Sequence, residues 1–449
     1  MLILDWNTLD HAARRAALAR PRLQSRAEVT RIAAQIIEQV QREGDAALLA
    51  LTERFDGVRL KSLVAQPAEF DEAHRALTGE QINALRRAFA NVARFHEAQS
   101  SRSFALETEP GVRCEKLVRP IATVGLYVPA GSAPLPSAVI MLGVPARIAG
   151  CEQRVLCAPP RPDGRTHPAI LVAAQLCGIN TVFKVGGAQA IAALAYGTES
   201  IPRVDKIFGP GNAWVTAAKT LVSTDPAGAA CDLPAGPSEV LVVADHAARA
   251  DFVAADLLAQ AEHDPRSQAI LVTDSRRLAQ AVRTELEEQC ALLSRRPILH
   301  QSLQSCRCIL VPDLDAALCI ANDYAPEHLI LQVREPRHWL AQVRNAGSVF
   351  LGSWSPEPLG DYCSGTNHVL PTYGHARAAS GLAVADFLKS ISVQELSAQA
   401  LAALGPTAIT LAALEGLDAH AQAVARRLAV LQVERTDSTA VPATAESAS

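Results

Sequence analysis

The chain has 449 residues, more than a single domain usually holds, and 49% of them are hydrophobic, which is enough for sizeable cores. The formal net charge is −4 and the arginines are scattered, so the composition gives no support to nucleic-acid binding. No apolar run reaches the roughly 18 residues that span a bilayer, and the N-terminus lacks the order of a signal peptide. We therefore expect a soluble, cytoplasmic protein of two or more domains.

The first hundred residues have the pattern of helices. Ser25 and Glu28 have the spacing of a capping box ahead of an apolar run with helical period. Thr78 and Gln81 repeat this arrangement ahead of a second such run. We predict a helix after each box.

From about residue 121, short apolar runs rich in β-branched residues alternate with helical stretches. The runs are continuous, as in strands that helices cover on both faces. This predicts a doubly wound α/β architecture, and the number of runs predicts two sheets. After residue 380 the strand pattern stops, and a helix with an apolar stripe follows before a polar tail that we expect to be disordered. The stripe consists of Leu417, Val424, Leu428 and Leu431.

The ten cysteines lie mostly inside apolar runs, such as Cys319 in DAALCIAND. No pair has CxxC spacing, and Cys306 and Cys308 form a CxC pair. We interpret the cysteines as reduced, buried small side chains, because the usual spacings of a cysteine metal site are missing.

Two glycine-rich turns lie between predicted strands and helices, although the G-x-G-x-x-G pattern of many dinucleotide sites is absent. Gly209 and Gly211 lie in FGPGNAW, where backbone N–H groups can meet an anion, and Pro210 removes one of those donors. Gln189 follows the similar turn VGGAQA one unit earlier. These turns either connect strand to helix tightly or hold a phosphate-bearing ligand.

A polar cluster ends the apolar helix predicted from the stretch ADLLAQAEHDP. Gln260 and His263 are three residues apart, so they share one helical face, and Pro265 ends the helix. Farther along, Glu327 and His328 are adjacent at a predicted helix-to-strand corner. A carboxylate beside an imidazole suits general acid–base catalysis, but a solvated pair at a turn is an equal alternative.

Residues 345–372 include about twenty residues without helical or strand period after the strand SVFLG. This stretch carries Asp361 and His368, and long irregular segments inside compact domains are usually functional. A structural turn is the alternative explanation for Asp361. His420 interrupts the alanine-rich C-terminal helix, with Glu415 just upstream, and a lone helical histidine is more often structural than a ligand.

Seven stretches together resemble the histidinol dehydrogenase family, in that family's order and near its spacing. They are VGLYVPAG, GPGNAWVTAAK, DLPAGPSEVLVVAD, AQAEHDP, NDYAPEHL, GDYCSGTNHVLPT and EGLDAHAQAV. The resemblance implies a homodimer with shared active sites. It also implies oxidation of L-histidinol to L-histidine through L-histidinal with two NAD⁺, the final step of histidine biosynthesis.

The resemblance also implies one zinc ion per subunit and roles for particular residues. The implied zinc ligands are Gln260, His263, Asp361 and His420, the last reaching the site of the other subunit. The implied acid–base residues are Glu327 and His328. The implied substrate contacts are Ser238, Gln260, His263, His328, Asp361, His368, Glu415 and His420. The implied NAD contacts are Tyr127, Gln189 and Asn212.

By the same resemblance, the fold class is α/β, with two doubly wound, incomplete Rossmann-like sheet domains and small helical terminal segments that serve the dimer. Residues 22–126 and 237–378 would form the first domain, with the zinc and acid–base residues, and residues 127–236 the second, with the NAD contacts. Residues 1–21 and 379–435 would be the helical segments, the latter reaching the partner subunit, and residues 436–449 the disordered tail.

Two other functions stay open at this point. A zinc hydrolase would use the same metal and Glu–His pair to activate water, and no reliable NAD fingerprint opposes it. A non-catalytic α/β binding protein is the third possibility. Against it, every motif position of the implied site is occupied in this sequence.

Overall fold

The computed structural model describes residues 1–21, 26–99, 101–130, 133–232 and 236–439. Ser25, half of one predicted capping box, and residues 440–449 of the predicted tail lie outside the described residues. Helix α16 continues to Thr439, which is four residues into the segment expected to be disordered.

The chain contains sixteen α-helices and fourteen strands within the described residues. The helices are α1 His11–Ala17, α2 Arg26–Asp56, α3 Pro67–Ala76, α4 Gly79–Glu97, α5 Pro136–Ala149, α6 Pro168–Leu176, α7 Gly187–Tyr196, α8 Ala213–Thr224, α9 Ala250–Ala261, α10 Arg276–Cys290, α11 Arg296–Ser302, α12 Leu314–Tyr324, α13 Pro336–Leu340, α14 Glu357–Tyr362, α15 Ala398–Leu414 and α16 Asp418–Thr439. The strands are β1 Leu2–Asp5, β2 Phe104–Glu109, β3 Val112–Pro120, β4 Thr123–Tyr127, β5 Gln153–Cys157, β6 Val182–Phe183, β7 Lys206–Phe208, β8 Ala230–Cys231, β9 Glu239–Ala244, β10 Gln268–Thr273, β11 Arg307–Leu310, β12 His328–Gln332, β13 Ser348–Leu351 and β14 Leu388–Leu396.

The chain forms two compact units. The first unit comprises Met1–Ser100 and Pro120–Phe387, and it holds two parallel sheets with the strand orders β1-β11-β10-β9-β12-β13 and β6-β5-β4-β7-β8. The second unit comprises Ser101–Arg119 and Leu388–Ser449, and it holds the sheet β14-β3-β2 with helices α15 and α16. The predicted α/β fold with two parallel sheets is confirmed.

Strand β9 shows why the central strands are continuous apolar runs. Val240 and Val242 pack on one side in a core with residues of α9 and α10. Leu241 and Val243 face the other side and pack against residues of α12. Because successive side chains point to opposite faces, a strand covered on both faces has no position left for a solvated residue.

The predicted helix after Thr78 begins at Gly79, and both hydrogen bonds of its capping box are present. The backbone N of Gln81 donates to Thr78 Oγ1 at 3.2 Å, and the backbone N of Thr78 donates to Gln81 Oε1 at 2.9 Å. Sequence spacing alone therefore locates this helix start.

The N-terminal segment differs from the expectation of a purely helical 1–21. Leu2–Asp5 form strand β1, which pairs in parallel with β11 at the edge of the six-stranded sheet. The apolar run MLIL at the start of the chain is long enough for a short edge strand, and α1 begins only at His11.

Residues 22–126 were expected to belong to the same domain as residues 237–378, but most of their helices pack against helices of the other parallel sheet. Apolar residues of α2 share a core with α7 and α8, and those of α3 and α4 share one with α5 and α6. All of these partners flank the five-stranded sheet, whose strand β4 begins at Thr123 and not after residue 126. Residues 101–119 belong to the second unit, where β3 pairs with β14. Strand β14, Leu388–Leu396, shows that the expectation of no strand after residue 380 is wrong.

All ten cysteines are free thiols, as expected, but not all are buried. Cys319 is exposed, because it lies on the outer face of α12, and Cys114, Cys231 and Cys363 are half-buried. Among the described residues, no helix combines the length and the apolar character needed to cross a bilayer.

Asp256 on α9 is buried, and its Oδ2 accepts a hydrogen bond of 2.9 Å from Gln332 Nε2. Burial raises the pKa of this carboxyl from 3.8 to about 6, and the hydrogen bond opposes the rise only partly. A raised pKa in the folded protein means that the native state holds the proton more tightly. This contribution to stability is present below pH 4 and is lost as the pH rises through 6.

We expect Asp256→Asn to become more stable than the wild type as the pH rises from 4.5 to 7. The predicted gain over this range is on the order of 2 kcal/mol, at about 1.4 kcal/mol per pKa unit, because part of the effect is already present at pH 4.5. Thermal melts of both proteins across this pH range measure it, with Asp251→Asn, on the same helix but partly exposed, as the control. If the Tm of Asp256→Asn relative to the wild type stays constant or falls as the pH rises, the raised pKa of Asp256 is contradicted.

Candidate active site

Glu327 and His328 lie where α12 turns into β12. Ala325 adopts a left-handed conformation with φ of 52°, which ends the helix, and His328 is the first residue of the strand. Gly347 passes so close that a Cβ there would lie 2.6 Å from the Glu327 carbonyl oxygen, so only glycine fits. Both side chains are buried, so the solvated-pair alternative is wrong.

His328 has two unlike ring nitrogens. Nδ1 lies 2.9 Å from Gln260 Oε1, an atom that only accepts hydrogen bonds, so in the neutral ring Nδ1 carries the proton. Nε2 is buried and has no hydrogen-bond partner among the described residues. When the ring is neutral, its lone pair is therefore on Nε2, the arrangement that a general base needs.

Three carboxylates surround this imidazole. Glu327 Oε2 lies 3.8 Å and Glu357 Oε1 3.7 Å from His328 Nδ1, and Asp361 Oδ1 lies 3.6 Å from Nε2. The Glu327 carboxylate is also held by the backbone N of Glu239, which donates to Oε2 at 2.8 Å.

The crowding changes the proton affinity of these groups. Burial raises the pKa of Glu327 and of Glu357 to about 8, although the charge of His328 opposes the rise. Burial would lower the pKa of His328, but the charges of Glu357, Glu327 and Asp361 raise it to about 10. Burial would raise the pKa of Asp361, but the His328 ring, whose Nε2 lies 3.6 Å from Asp361 Oδ1, and the charges of His368 and His263 keep that pKa below the usual range.

Sequence reasoning missed Glu357, because the roughly twenty residues after the strand SVFLG were expected to have no regular structure. Residues Glu357–Tyr362 in fact form the short helix α14, with proline at its start. Glu357 and Asp361 are four residues apart and share one face of this helix. The spacing in EPLGD could have revealed the pair, but the prolines around it suggested a loop.

His263, Glu357 and Asp361 can hold a metal ion, since one ligand atom from each lies within 4.8 Å of the others. Gln260 lies in the last turn of α9, which ends at Ala261, and His263 follows the helix end. Gln260 is fully buried, and its Nε2 has no hydrogen-bond partner among the described residues. Imidazole and carboxylate are donors that zinc accepts. The C-terminal end of α9 also carries the negative pole of the helix, which favours a cation. The donor set and the charge therefore fit the implied zinc ion.

The remaining substrate candidates of the first unit lie around this cluster. His368 Nδ1 lies 2.8 Å from the backbone oxygen of Asp361. Ser238 immediately precedes β9, whose second residue, Val240, is in register with His328. All of these groups lie at the amino edge of the six-stranded sheet, because α9 runs back from β9 toward that edge. Most α/β sheets bind ligands at the carboxyl edge instead.

The three candidate NAD contacts lie at the carboxyl edge of the five-stranded sheet. Tyr127 ends β4, and Asn212 caps α8 just after β7, the neighbour of β4. The chain leaves β4 toward β5 on one side and reaches β7 on the other, so the two residues flank a topological switch point. Gln189 lies in the first turn of α7, where the backbone N of Gly187 donates to the Tyr127 hydroxyl oxygen at 3.1 Å.

The turn at Gly209 is held firmly. Its φ of +127° and its contact with the Tyr127 carbonyl leave no room for a Cβ. Its backbone N donates to Asp232 Oδ2 at 2.7 Å, and Lys219 donates to its carbonyl at 2.9 Å and to Asp232. The backbone groups before α8 are therefore fixed in place.

A cavity of about 1610 Å³ joins the two parts of the site. Its lining includes Tyr127, Gln189 and Asn212 at one sheet and His263 at the other. This volume exceeds that of ordinary small-molecule pockets and is sufficient for a dinucleotide together with a small substrate.

Glu415 and His420 belong to the second unit. Glu415 caps the end of α15, His420 lies in the first turn of α16, and both are exposed. Of the predicted stripe, Val424 and Leu428 pack toward Gly405 of α15, whereas Leu417 is exposed and precedes α16. The role of the two polar residues stays a prediction.

The comparisons agree with the resemblance predicted from the seven stretches. The chain matches the histidinol dehydrogenase family over residues 18–428. It is 59% identical to histidinol dehydrogenase of Xanthomonas euvesicatoria pv. vesicatoria (strain 85-10) over 96% of this chain and 100% of that protein. Identity to the histidinol dehydrogenase of Vibrio vulnificus (strain CMCP6) is 53%, over 95% of this chain and 98% of that protein. The crystal structure of histidinol dehydrogenase from Elizabethkingia anophelis superposes with a TM-score of 0.91 at 41% identity, over 96% of this chain and 99% of that one. This chain belongs to the histidinol dehydrogenase family.

Proposed function

We propose that the protein oxidises L-histidinol to L-histidine through L-histidinal, reducing two NAD⁺, as the last step of histidine biosynthesis. The observation that carries the proposal is the oriented, buried His328, whose Nε2 has no hydrogen-bond partner among the described residues and lies beside side chains spaced to hold a metal ion. We place the reaction in the cytoplasm, where ten free thiols are stable.

We propose one zinc ion per subunit, held by Gln260, His263 and Asp361 together with His420 of a second subunit. When bound, the ion would position an amino alcohol and compensate the charge of the carboxylates. A cation at this place also favours the neutral form of His328, because it opposes the carboxylates that hold the proton on the ring. His368, Ser238 and Glu415 would complete the contacts to the substrate.

His328 acts as the base in both oxidations. Its Nε2 takes the proton of the alcohol as hydride leaves the carbon for NAD⁺, and later the proton of the aldehyde hydrate. Glu327 activates the water that forms this hydrate. Its Oε2 is occupied by the backbone N of Glu239, which leaves Oε1 for the water.

NAD⁺ occupies the cavity between the sheets, with Tyr127, Gln189 and Asn212 as its contacts. The switch point between β4 and β7 and the fixed turn before α8 are the features that hold a dinucleotide phosphate in related architectures. A zinc hydrolase would need the metal and Glu327, but it would not need a cavity large enough for a dinucleotide. The cavity therefore favours the dehydrogenase over both the hydrolase and a non-catalytic binding protein.

The direct test is an assay with L-histidinol and NAD⁺, with and without a chelator. We expect absorbance of NADH to grow, with two NADH formed per histidine, and the chelator to abolish it until zinc is restored. Zinc-dependent hydrolysis of esters or amides without NADH formation would favour the hydrolase.

The first prediction concerns the charge around the base. Glu357→Gln should lower the pKa of His328 in the metal-free protein, since Glu357 contributes the largest of the charges that raise it. NMR titration of the histidine ring signals measures the change, and the His328→Asn spectrum assigns the signal. Glu262→Gln, which alters a carboxylate nearer His263, is the control. If the pKa of His328 is unchanged in Glu357→Gln, Glu357 does not raise it and the prediction is refuted.

The second prediction separates the acid–base roles. Glu327→Gln should still oxidise histidinol slowly but convert histidinal to histidine far less well, whereas His328→Asn should impair both half-reactions. Loss of a general base typically costs ~10² to 10⁴ in rate. Single-turnover rates with each substrate measure the two steps, and equal losses in both for Glu327→Gln would be inconsistent with this division.

The third prediction is that the subunits share active sites. A His263→Asn chain paired with a His420→Asn chain places both lesions in one site and leaves the other intact. Two inactive parents refolded together should then regain roughly a quarter of wild-type sites, because about half the dimers are mixed and each has one good site. Each parent refolded alone is the control. No recovery in samples shown to contain mixed dimers would place His420 in its own subunit's site.

A further inference from the structure

An ion pair that no sequence motif marks lies beside the acid–base residues. Arg20 Nε donates to Glu239 Oε2 at 2.6 Å, and a terminal guanidinium nitrogen donates to Oε1 at 2.8 Å. The side chains are 16% and 2% exposed. A bidentate pair of this kind fixes both position and orientation of the carboxylate.

Arg20 makes two further contacts with the end of α12. It donates to the backbone oxygen of Tyr324 at 2.8 Å, and its guanidinium lies 4.0 Å from the centroid of the Tyr324 ring. The Tyr324 hydroxyl lies 3.1 Å from Glu239 Oε2 and 2.8 Å from Gln268 Oε1. Gln268 in turn donates to the backbone oxygen of Ala19 at 3.0 Å, which ties the N-terminal segment to β10.

These contacts hold both partners of one hydrogen bond in the site. The backbone N of Glu239 is the donor that holds the Glu327 carboxylate at 2.8 Å. Tyr324 lies three residues before Glu327, at the end of α12, and the turn that follows α12 carries Glu327. Arg20 donates hydrogen bonds to the side chain of Glu239 and to the backbone of Tyr324.

The positive charge of Arg20 also compensates a buried negative charge. The Glu239 carboxylate is buried close to Glu327, and an unpaired buried charge is costly. The guanidinium compensates Glu239, so that Glu327 is left as the carboxylate available to water.

We propose that Arg20 is a positioning residue for Glu327, acting through its ion pair with Glu239 and its hold on Tyr324. This rests on the proposed role of Glu327 in the aldehyde half of the reaction. The N-terminal segment thus serves the active site of its own chain.

The test compares Arg20→Ala and Arg20→Lys with the wild type in single-turnover oxidation of histidinol and of histidinal. We expect Arg20→Ala to slow the histidinal step about 10-fold more than the histidinol step, a part of the loss typical of removing a catalytic base. The KM for histidinol and the zinc content should stay near the wild-type values. Arg20→Lys should recover part of the loss, because lysine restores the charge but not the bidentate geometry.

A matched control comes from another buried pair of the first unit, Lys184 and Glu69, 3.2 Å apart with side chains 7% and 10% exposed. Lys184→Met should lower Tm without changing the ratio of the two half-reactions. Arg20→Ala with equal losses in both steps, or with none, would overturn the proposal. If Arg20→Ala does not fold, Arg20→Lys carries the same comparison.

A double mutant separates this proposal from the proposed function. If Arg20 acts through Glu327, Arg20→Ala should cause no further loss in the Glu327→Gln background. Losses that multiply in the double mutant would refute the positioning role. If Glu327→Gln itself shows no selective defect with histidinal, the proposed role of Glu327 fails first.

Discussion

The structure depends most on a buried imidazole placed among three carboxylates. His328 has Glu327, Glu357 and Asp361 within 4 Å, and little water reaches any of them. Buried like charges cannot all be ionised without compensation, so the site must hold either extra protons or a cation. The negative end of α9 adds to this demand. The raised pKa values of His328 and the two glutamates are the consequence when protons alone compensate.

The fold meets this demand by bringing distant segments to one edge of a sheet. The side chains come from the end of α9 and the residues just after it, the corner between α12 and β12, and the short helix α14, and the beginning of β9 supplies a backbone donor. The five-stranded sheet presents the opposite, carboxyl edge to the same cavity. The proposed hydride transfer needs the substrate and the nicotinamide in contact, and one cavity that reaches both sheets allows it.

Local pattern predicted the parts of the structure that local physics decides. The continuous apolar strands and the capping box at Thr78 follow from local sequence pattern. The helix that was expected to carry both Gln260 and His263 ends at Ala261, so His263 lies just beyond it. The pairing of Arg20 with Glu239 spans 219 residues and leaves no periodic signal. The role of Glu357 was missed because the prolines near it suggested a loop, whereas they begin the short helix α14. Strand β1 was missed because the segment that contains it is otherwise helical. The site roles themselves came from resemblance to a family and not from spacing.

The most direct measurement is the number of protons released when zinc binds to the metal-free protein at pH 7. Calorimetric titrations in two buffers of different ionisation enthalpy give this number. If protons compensate the carboxylates in the absence of metal, His328 and the two glutamates lose them to the cation, so at least one proton should leave per zinc ion. Zinc binding with no proton release, or with proton uptake, would contradict the view that a cation and protons compete for this site.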